Sequence, residues 1–411
     1  MRMKLSKPYL YNALEGMNFQ SFTEIQKKTL PAALKGRDIL GVSETGSGKT
    51  HAFLLPVFDR LDEDEQEVQS VIVSPTRELA DQLHRFASEL ASYTTAPIDI
   101  RLYTGGRDRE RELERLKKSQ PQVVIGTPGK LVDLAVKENA LKLYRARTFV
   151  IDEADMTLEF GFLKELETLA NVIDKRAQLL VFSATLPEHL RQFVKKSMYQ
   201  PLEVILSKDR LSKLNIRHRF IKSPQDKRLE TLDRIIGAIN PYLALVFANT
   251  IEEVDALASH LRALDLDVTK LHGNLTVRER KQAIREIEKL NVQYIAASDM
   301  AARGIDIDGV SHVVNLAFPK DPNFYIHRVG RTGRMGASGE AITLYDEHDS
   351  EAFDFLKQEG VTLEFCDIKD GEFIQSKQKP EKQDKRRPSK QEKIKPGYKK
   401  KHHARRKKGQ S

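Results

Sequence analysis

Two short runs in this 411-residue chain combine residue types that could do phosphate chemistry. Ser43-Glu44-Thr45-Gly46-Ser47-Gly48-Lys49-Thr50 follows an apolar run ending at Val42 and precedes a segment of helical character. A glycine-rich turn between strand and helix offers backbone N–H groups to phosphates, Lys49 can reach the β and γ phosphates, and the Thr50 hydroxyl can join a Mg²⁺ shell. Ser43 stands where the common form of this pattern has its first glycine. Farther on, Val150-Ile151-Asp152-Glu153-Ala154-Asp155 sets carboxylates at the end of an apolar run. In an open α/β sheet that is the edge where ligands bind. Asp152 is expected to hold Mg²⁺ and Glu153 to orient and deprotonate an attacking water, a division of labour that suits phosphoryl transfer.

Elements able to position these groups recur through the chain. Short runs rich in Val and Ile at Ile39 to Val42, Val71 to Val73, Val123 to Ile125, Phe149 to Ile151 and Leu179 to Phe182 predict strands. Amphipathic stretches such as Thr76 to Leu90 and Leu163 to Ile173 predict helices between them. A second series follows at Leu243 to Phe247, Val268 to Leu271, Tyr294 to Ala297 and Val313 to Leu316, with helices at Ile251 to Leu264 and Arg278 to Leu290. Alternation of this kind predicts two tandem α/β domains, each a parallel sheet covered by helices. The expected boundaries are 1–207 for the first domain, 208–213 for a linker, 214–368 for the second domain and 369–411 for a tail.

With Pro75-Thr76-Arg77-Glu78-Leu79-Ala80, Ser183-Ala184-Thr185 and His327-Arg328-Val329-Gly330-Arg331-Thr332-Gly333-Arg334, these runs resemble the DEAD-box family of ATP-dependent RNA helicases over about residues 8 to 365. The resemblance implies two RecA-like domains, the P-loop NTPase core of helicase superfamily 2, and ATP hydrolysis coupled to local RNA unwinding and ribonucleoprotein remodelling. It makes Phe19, Thr23 and Gln26 the adenine-reading element, and a Gln amide can both donate to and accept from a purine edge. It makes Arg331 and Arg334 arginine fingers, planar and charged at any working pH. His327, Asp155, Ser183 and Thr185 would register domain closure, with Gly304 and Asp306 near the ribose. For RNA it marks Pro75, Thr76, Arg77, Gly105, Gly106, Thr127, Pro128, Gly129 and Lys130 in the first domain, and Thr250, Gly273, Arg280 and Ser298 in the second. Hydroxyls, basic groups and glycine backbones of this kind grip phosphates and sugars without reading sequence. The chain departs from the family pattern at Asn18, Phe22, Lys130, Val277 and Ser298, and no aromatic residue precedes Tyr9.

The net charge of +9 is concentrated at one end. From Lys369 to Ser411 there are 17 Lys and Arg against 5 Asp and Glu, so the rest of the chain is mildly acidic. So polar a segment cannot bury enough surface to fold alone and is expected to be a disordered, RNA-binding arm. Its run Lys393 to Lys401 is similar to the tail of a bacterial cold-shock member of the family. A single cysteine, Cys366, excludes intrachain disulfides, and no stretch of eighteen apolar residues predicts a membrane span. His272, His402 and His403 lack the spacing of a zinc site. These features together predict a cytoplasmic enzyme using ATP and Mg²⁺. A nonenzymatic RNA clamp or annealing chaperone, or a DNA translocase, are the alternative readings. Ribosome assembly, mRNA decay and cold-adapted translation, with ribosomal or RNA-decay proteins as partners, stay open at this point.

Overall fold

The structure is a computed structural model that describes residues 4–44, 46–106, 108–206, 215–302, 307, 309–319, 321–333 and 338–376. Strands Ile39–Val42 (β1), Ser70–Val73 (β2), Ile100–Tyr103 (β3), Val123–Gly126 (β4), Thr148–Ile151 (β5), Gln178–Ser183 (β6) and Leu202–Ile205 (β7) form one sheet in the order β3-β4-β2-β5-β6-β1-β7. Every pairing in it is parallel. The five inner strands are buried at every residue. Helices cover both faces, which is why these strands read as continuous apolar runs. Within β6, Leu180 and Phe182 enter one core while Leu179 and Val181 enter the core on the opposite face.

The second sheet holds Ile216–Lys222 (β8), Ala244–Phe247 (β9), Val268–Leu271 (β10), Tyr294–Ala297 (β11), His312–Asn315 (β12), Gly339–Tyr345 (β13), Glu364–Lys369 (β14) and Glu372–Gln375 (β15). Its order is β10-β11-β9-β12-β13-β8-β14-β15. Seven strands run parallel, and β15 turns back antiparallel on β14. The two RecA-like α/β domains match the expected class. Among the described residues no helix is long and apolar enough to cross a membrane. The expected linker, 208–213, lies outside the described residues.

Strands β3, β7, β8, β13, β14 and β15 go beyond the apolar runs. In β8 the sequence alternates with charge, yet His218 is buried with Nδ1 against the Tyr325 hydroxyl and Arg219 pairs with Glu340 on β13, so basic residues are accommodated inside the sheet. One boundary is corrected. Composition starts the tail at Lys369, but Glu372–Gln375 completes a hairpin with β14. Phe373 packs on the core and lies under Arg219, whose guanidinium carbon is 4.0 Å from the ring centroid. A nearby sheet edge supplies what local composition lacks. Ending the chain after Ser376 should leave thermal stability unchanged, whereas ending it after Lys369 should cost about 1–2 kcal/mol from lost apolar and cation–π contact. Equal melting curves for the two truncations, compared by calorimetry, would contradict this account of the hairpin.

Candidate ATP and RNA site

Many of the sequence-predicted groups converge because they follow the C-terminal ends of strands. In the first sheet, Ser43 follows β1, Asp152 follows β5, and Ser183 to Thr185 end β6. These strands are neighbours, β5-β6-β1. Pro75, Gly105 and Thr127 follow β2, β3 and β4, also neighbours on the other half of the same edge. The sheet order therefore separates predicted nucleotide groups from predicted RNA groups along one rim. In the second sheet, Gly273, Ser298 and Thr250 follow the adjacent strands β10, β11 and β9.

The phosphate loop turns through Gly46 and Gly48, both with positive φ, before the helix Lys49–Asp59. At Gly48, with φ of 91°, a Cβ would stand 2.4 Å from Gln26 Nε2, so glycine is required by conformation and by space. Lys49 is buried and donates from Nζ to the carbonyl of Ser43 at 3.0 Å. The same ammonium lies 3.2 Å from Glu153 Oε1. Ser47 Oγ bonds the Glu44 carbonyl and sits 2.7 Å from Ser43 Oγ, so the serine in place of the usual first glycine closes the loop on itself. Thr50 is half-buried in the first turn of the helix.

Glu153 adopts left-handed backbone geometry, φ 46° and ψ 54°, where the chain leaves β5 for the helix Ala154–Glu159. A non-glycine residue there stores about 1–3 kcal/mol of strain, which the surrounding sheet must hold. The two flanking aspartates are both buried and their ionisation diverges. Burial, then the neighbouring Glu153 carboxylate, push Asp152 up to about 7, against the opposing pull of Lys49. Burial also acts on Asp155, but His327 of the second domain and hydrogen bonds from Thr185 and Ser183 outweigh it and hold that carboxyl below its ordinary range. Thr185 donates to Asp155 Oδ2 from its N–H at 2.7 Å and its hydroxyl at 2.6 Å. Ser183 Oγ accepts from the Asp155 N–H at 3.1 Å. The predicted closure network of Asp155, Ser183, Thr185 and His327 is thus brought together.

Phe19 and Gln26 differ from expectation. A 370 Å³ cavity beside the loop is lined by Thr23, Lys28, Ser43 and Glu44, with Ile205 and Leu206 as its apolar wall, and neither Phe19 nor Gln26 faces it. Phe19 packs against His51 at 5.5 Å between centroids, and Gln26 is 1 % exposed. The Gln26 amide donates to the Gly48 carbonyl at 2.8 Å and accepts from the Thr23 N–H at 2.9 Å. Gln26 thus braces the phosphate loop from behind, while Phe19 packs on the helix that follows it. Ile205 and Leu206 escaped the sequence reading because nothing but the pairing of β7 with β1 puts them there.

On the RNA half, Thr76 caps the helix Arg77–Ala91, and a Cβ on Gly105 would stand 2.7 Å from Arg77 Nη2, so that glycine admits the guanidinium. Gly106, Thr127, Pro128 and Gly129 line the same rim, and Pro128 opens the helix Pro128–Val132. Lys130 is corrected from an RNA grip to an internal partner: its ammonium lies 2.6 Å from Glu112 Oε2, and both side chains are largely buried. Thr250 caps the helix Ile251–Ala263 in a reciprocal box with Glu253, Gly273 faces open space, and Ser298 is buried at the end of β11. Arg280 is ion-paired across the domains with Glu78. Arg331 is largely buried just beyond the helix Asn323–Val329. Thr45, Gly304, Asp306 and Arg334 lie outside the described residues.

Arg328 was missed. It is 1 % exposed and donates to Asp299 from Nε at 2.5 Å and Nη2 at 2.7 Å, to the Ala317 carbonyl at 2.9 Å and to Asn249 Oδ1 at 2.7 Å. With the Tyr325 hydroxyl 2.8 Å from His218 Nδ1, it fixes the helix that carries His327. An arginine beside His327 among the large side chains Tyr325, Ile326 and Val329 is the available signal, because a charge buried with them must be paired.

Asp152 yields a prediction for the protein in EDTA. Its folded value of about 7 stands above the unfolded 3.8, so rising pH between them ionises the unfolded chain first and removes stability. Asp152→Asn lacks this titration. Its stability advantage over the parent should grow from pH 4 to pH 7 and then level off, reaching on the order of a few kcal/mol. A pH-independent difference in denaturant unfolding would contradict the burial account.

Residues 23–193 match the DEAD/DEAH box helicase family and residues 227–336 match the helicase conserved C-terminal domain. The chain is 42% identical over 369 residues to the DEAD-box ATP-dependent RNA helicase CshB of Listeria monocytogenes, covering 90% of this chain and 84% of the relative. It is 41% identical over 368 residues to CshB of Bacillus subtilis, covering 89% and 84%. Its structure is similar to that of S. cerevisiae Dbp5 bound to RNA and ADP BeF3, with a TM-score of 0.78, 29% identity, and coverage of 87% of this chain and 93% of that one. Matched by both family models and by relatives along nearly its whole length, the chain belongs to the DEAD-box family of ATP-dependent RNA helicases.

Proposed function

We propose that this chain hydrolyses ATP on the β5-β6-β1 half of the first rim when RNA spans both domains, and that closure separates short duplexes and remodels ribonucleoprotein. The observation that carries this reading is the pull of His327 on the buried Asp155 carboxylate, which links the acidic strand end of one domain electrostatically to the signature helix of the other. The similarity to an RNA- and nucleotide-bound relative supports the same arrangement.

ATP is seated with its base against Ile205 and Leu206 and its phosphates on the N–H groups of Gly46, Ser47 and Gly48, where Lys49 meets the β and γ phosphates. The group at Asp152 is tested by its surroundings: a buried carboxylate pushed toward neutrality needs positive charge, and the available donors, Asp152 and the Thr50 hydroxyl, are oxygens that suit Mg²⁺. When bound, that ion neutralises phosphate charge. Glu153 takes a proton from the water that attacks the γ phosphorus, its carboxylate oriented by Lys49 at 3.2 Å. Arg331 and Arg334 stabilise charge on the transferring phosphoryl group, reaching it only after closure.

RNA lies along the β2, β3 and β4 rim and the facing β9, β10 and β11 rim, held by backbone and hydroxyl contacts without sequence readout. The basic run beyond the hairpin retains RNA through phosphate pairing. Likeness to CshB supports work in a bacterial cytoplasm and a role in cold growth. Glu153→Gln should keep ATP and RNA binding while lowering RNA-stimulated turnover about 10²- to 10⁴-fold, because an amide keeps the shape but cannot accept the proton. Near-normal phosphate release in a steady-state assay would remove Glu153 from the base role.

A further inference from the structure

Arg280 does not sit as a phosphate contact would. Its guanidinium is ion-paired with Glu78, and the two side chains are 17% and 19% exposed. Glu78 is the second residue of the helix that Thr76 caps and Arg77 opens, which follows β2 on the predicted RNA rim of the first domain. Arg280 belongs to the helix Val277–Glu288 of the second domain. The pair stands in the wall of a 510 Å³ cavity between the domains, beside the apolar side chains of Leu102, Leu275 and Ile284. Partial burial of both side chains screens the pair less than open water would.

The far side of Arg280 continues into the catalytic half of the second domain. Arg280 Nη2 donates to the carbonyl of Ala301 at 3.1 Å. Ala301 lies in the single-turn helix Asp299–Ala302, whose first residue receives both arms of Arg328. Arg328 is held on its remaining sides by Ala317, Asn249 and the Phe247 ring, so it has no alternative seat. Its helix carries His327, and Arg331 follows three residues later. Breaking a buried, bidentate arginine–carboxylate pair is costly, so a displacement of this short helix is passed on rather than absorbed.

We infer that Glu78 and Arg280 form a positioning pair, which transmits closure over RNA through Ala301, Asp299 and Arg328 to the helix that presents His327 and Arg331. This rests on the ATP- and RNA-dependent closure proposed above. It assigns Arg280 to the interface between the domains and leaves RNA contact to its neighbours. An arginine fork has the fixed geometry this needs, since it holds a carboxylate and a carbonyl at the same time.

The test uses the full chain. RNA affinity is measured without nucleotide and with a nonhydrolysable ATP analogue, and the ratio is the coupling factor. Glu78→Gln should leave nucleotide-free RNA affinity within about twofold while lowering the coupling factor about tenfold, with a parallel loss of turnover at saturating ATP and RNA. Glu78→Asp, which keeps the charge, should recover part of the factor. Arg280→Gln combined with Glu78→Gln should lower it no further than Arg280→Gln alone. If Arg280 were instead a phosphate contact, Glu78→Gln would free it and tighten nucleotide-free RNA binding, and that result overturns the inference. An unchanged coupling factor in Glu78→Gln overturns it too. Absence of any nucleotide-dependent tightening in the parent protein would overturn the functional reading, and this link with it.

Discussion

Three carboxylates, Asp152, Glu153 and Asp155, are crowded within four residues where a fully buried strand reaches the rim of its sheet. Like charges at that spacing in a dry environment repel one another and lose hydration, and no local arrangement can relieve both costs. Relief comes from other elements. Lys49 reaches over from the start of the helix after the phosphate loop, Thr185 and Ser183 from the end of β6, and His327 from the second domain. The parallel order β5-β6-β1 is what makes the first two available, and the anchoring of the signature helix by Arg328 and Tyr325 makes the third available. The fold is therefore organised around a charge problem that only distant parts of the chain can solve.

The same arrangement explains why the catalytic and RNA-gripping groups respond to each other. They share one rim of one sheet, and both face the second domain. A ligand at either half stabilises the facing arrangement that the other half also needs, and the resulting coupling is reciprocal by thermodynamic necessity. Strain fits the picture, since Glu153 is kept in left-handed backbone geometry by the sheet and helix on either side of it.

Much of this was legible in the sequence, for a physical reason. Strands such as Ile39–Val42 and Tyr294–Ala297 are buried on both faces, so their burial is written as an unbroken apolar run. The phosphate loop and the acidic strand end were legible because their chemistry demands particular residues in order. Strands β3 and β8 were not, because Arg101 and Arg219 find carboxylate partners that composition cannot reveal. Phe19, Gln26 and Lys130 carry the residue types expected of ligand contacts, yet their tertiary neighbours, His51, Gly48 and Glu112, claim them. Arg328 was invisible as a function because its role is to be buried, and motif reasoning favours residues that meet a ligand.

The central claim is that one closed arrangement serves both ligands. It is tested most directly by closing a thermodynamic box on the full chain, measuring RNA affinity with and without a nonhydrolysable ATP analogue and analogue affinity with and without RNA. The account predicts tightening in both directions by the same factor, well above one. Affinities for each ligand that ignore the other would contradict it, because they would mean that the contacts between the domains are not selected by the ligands at all.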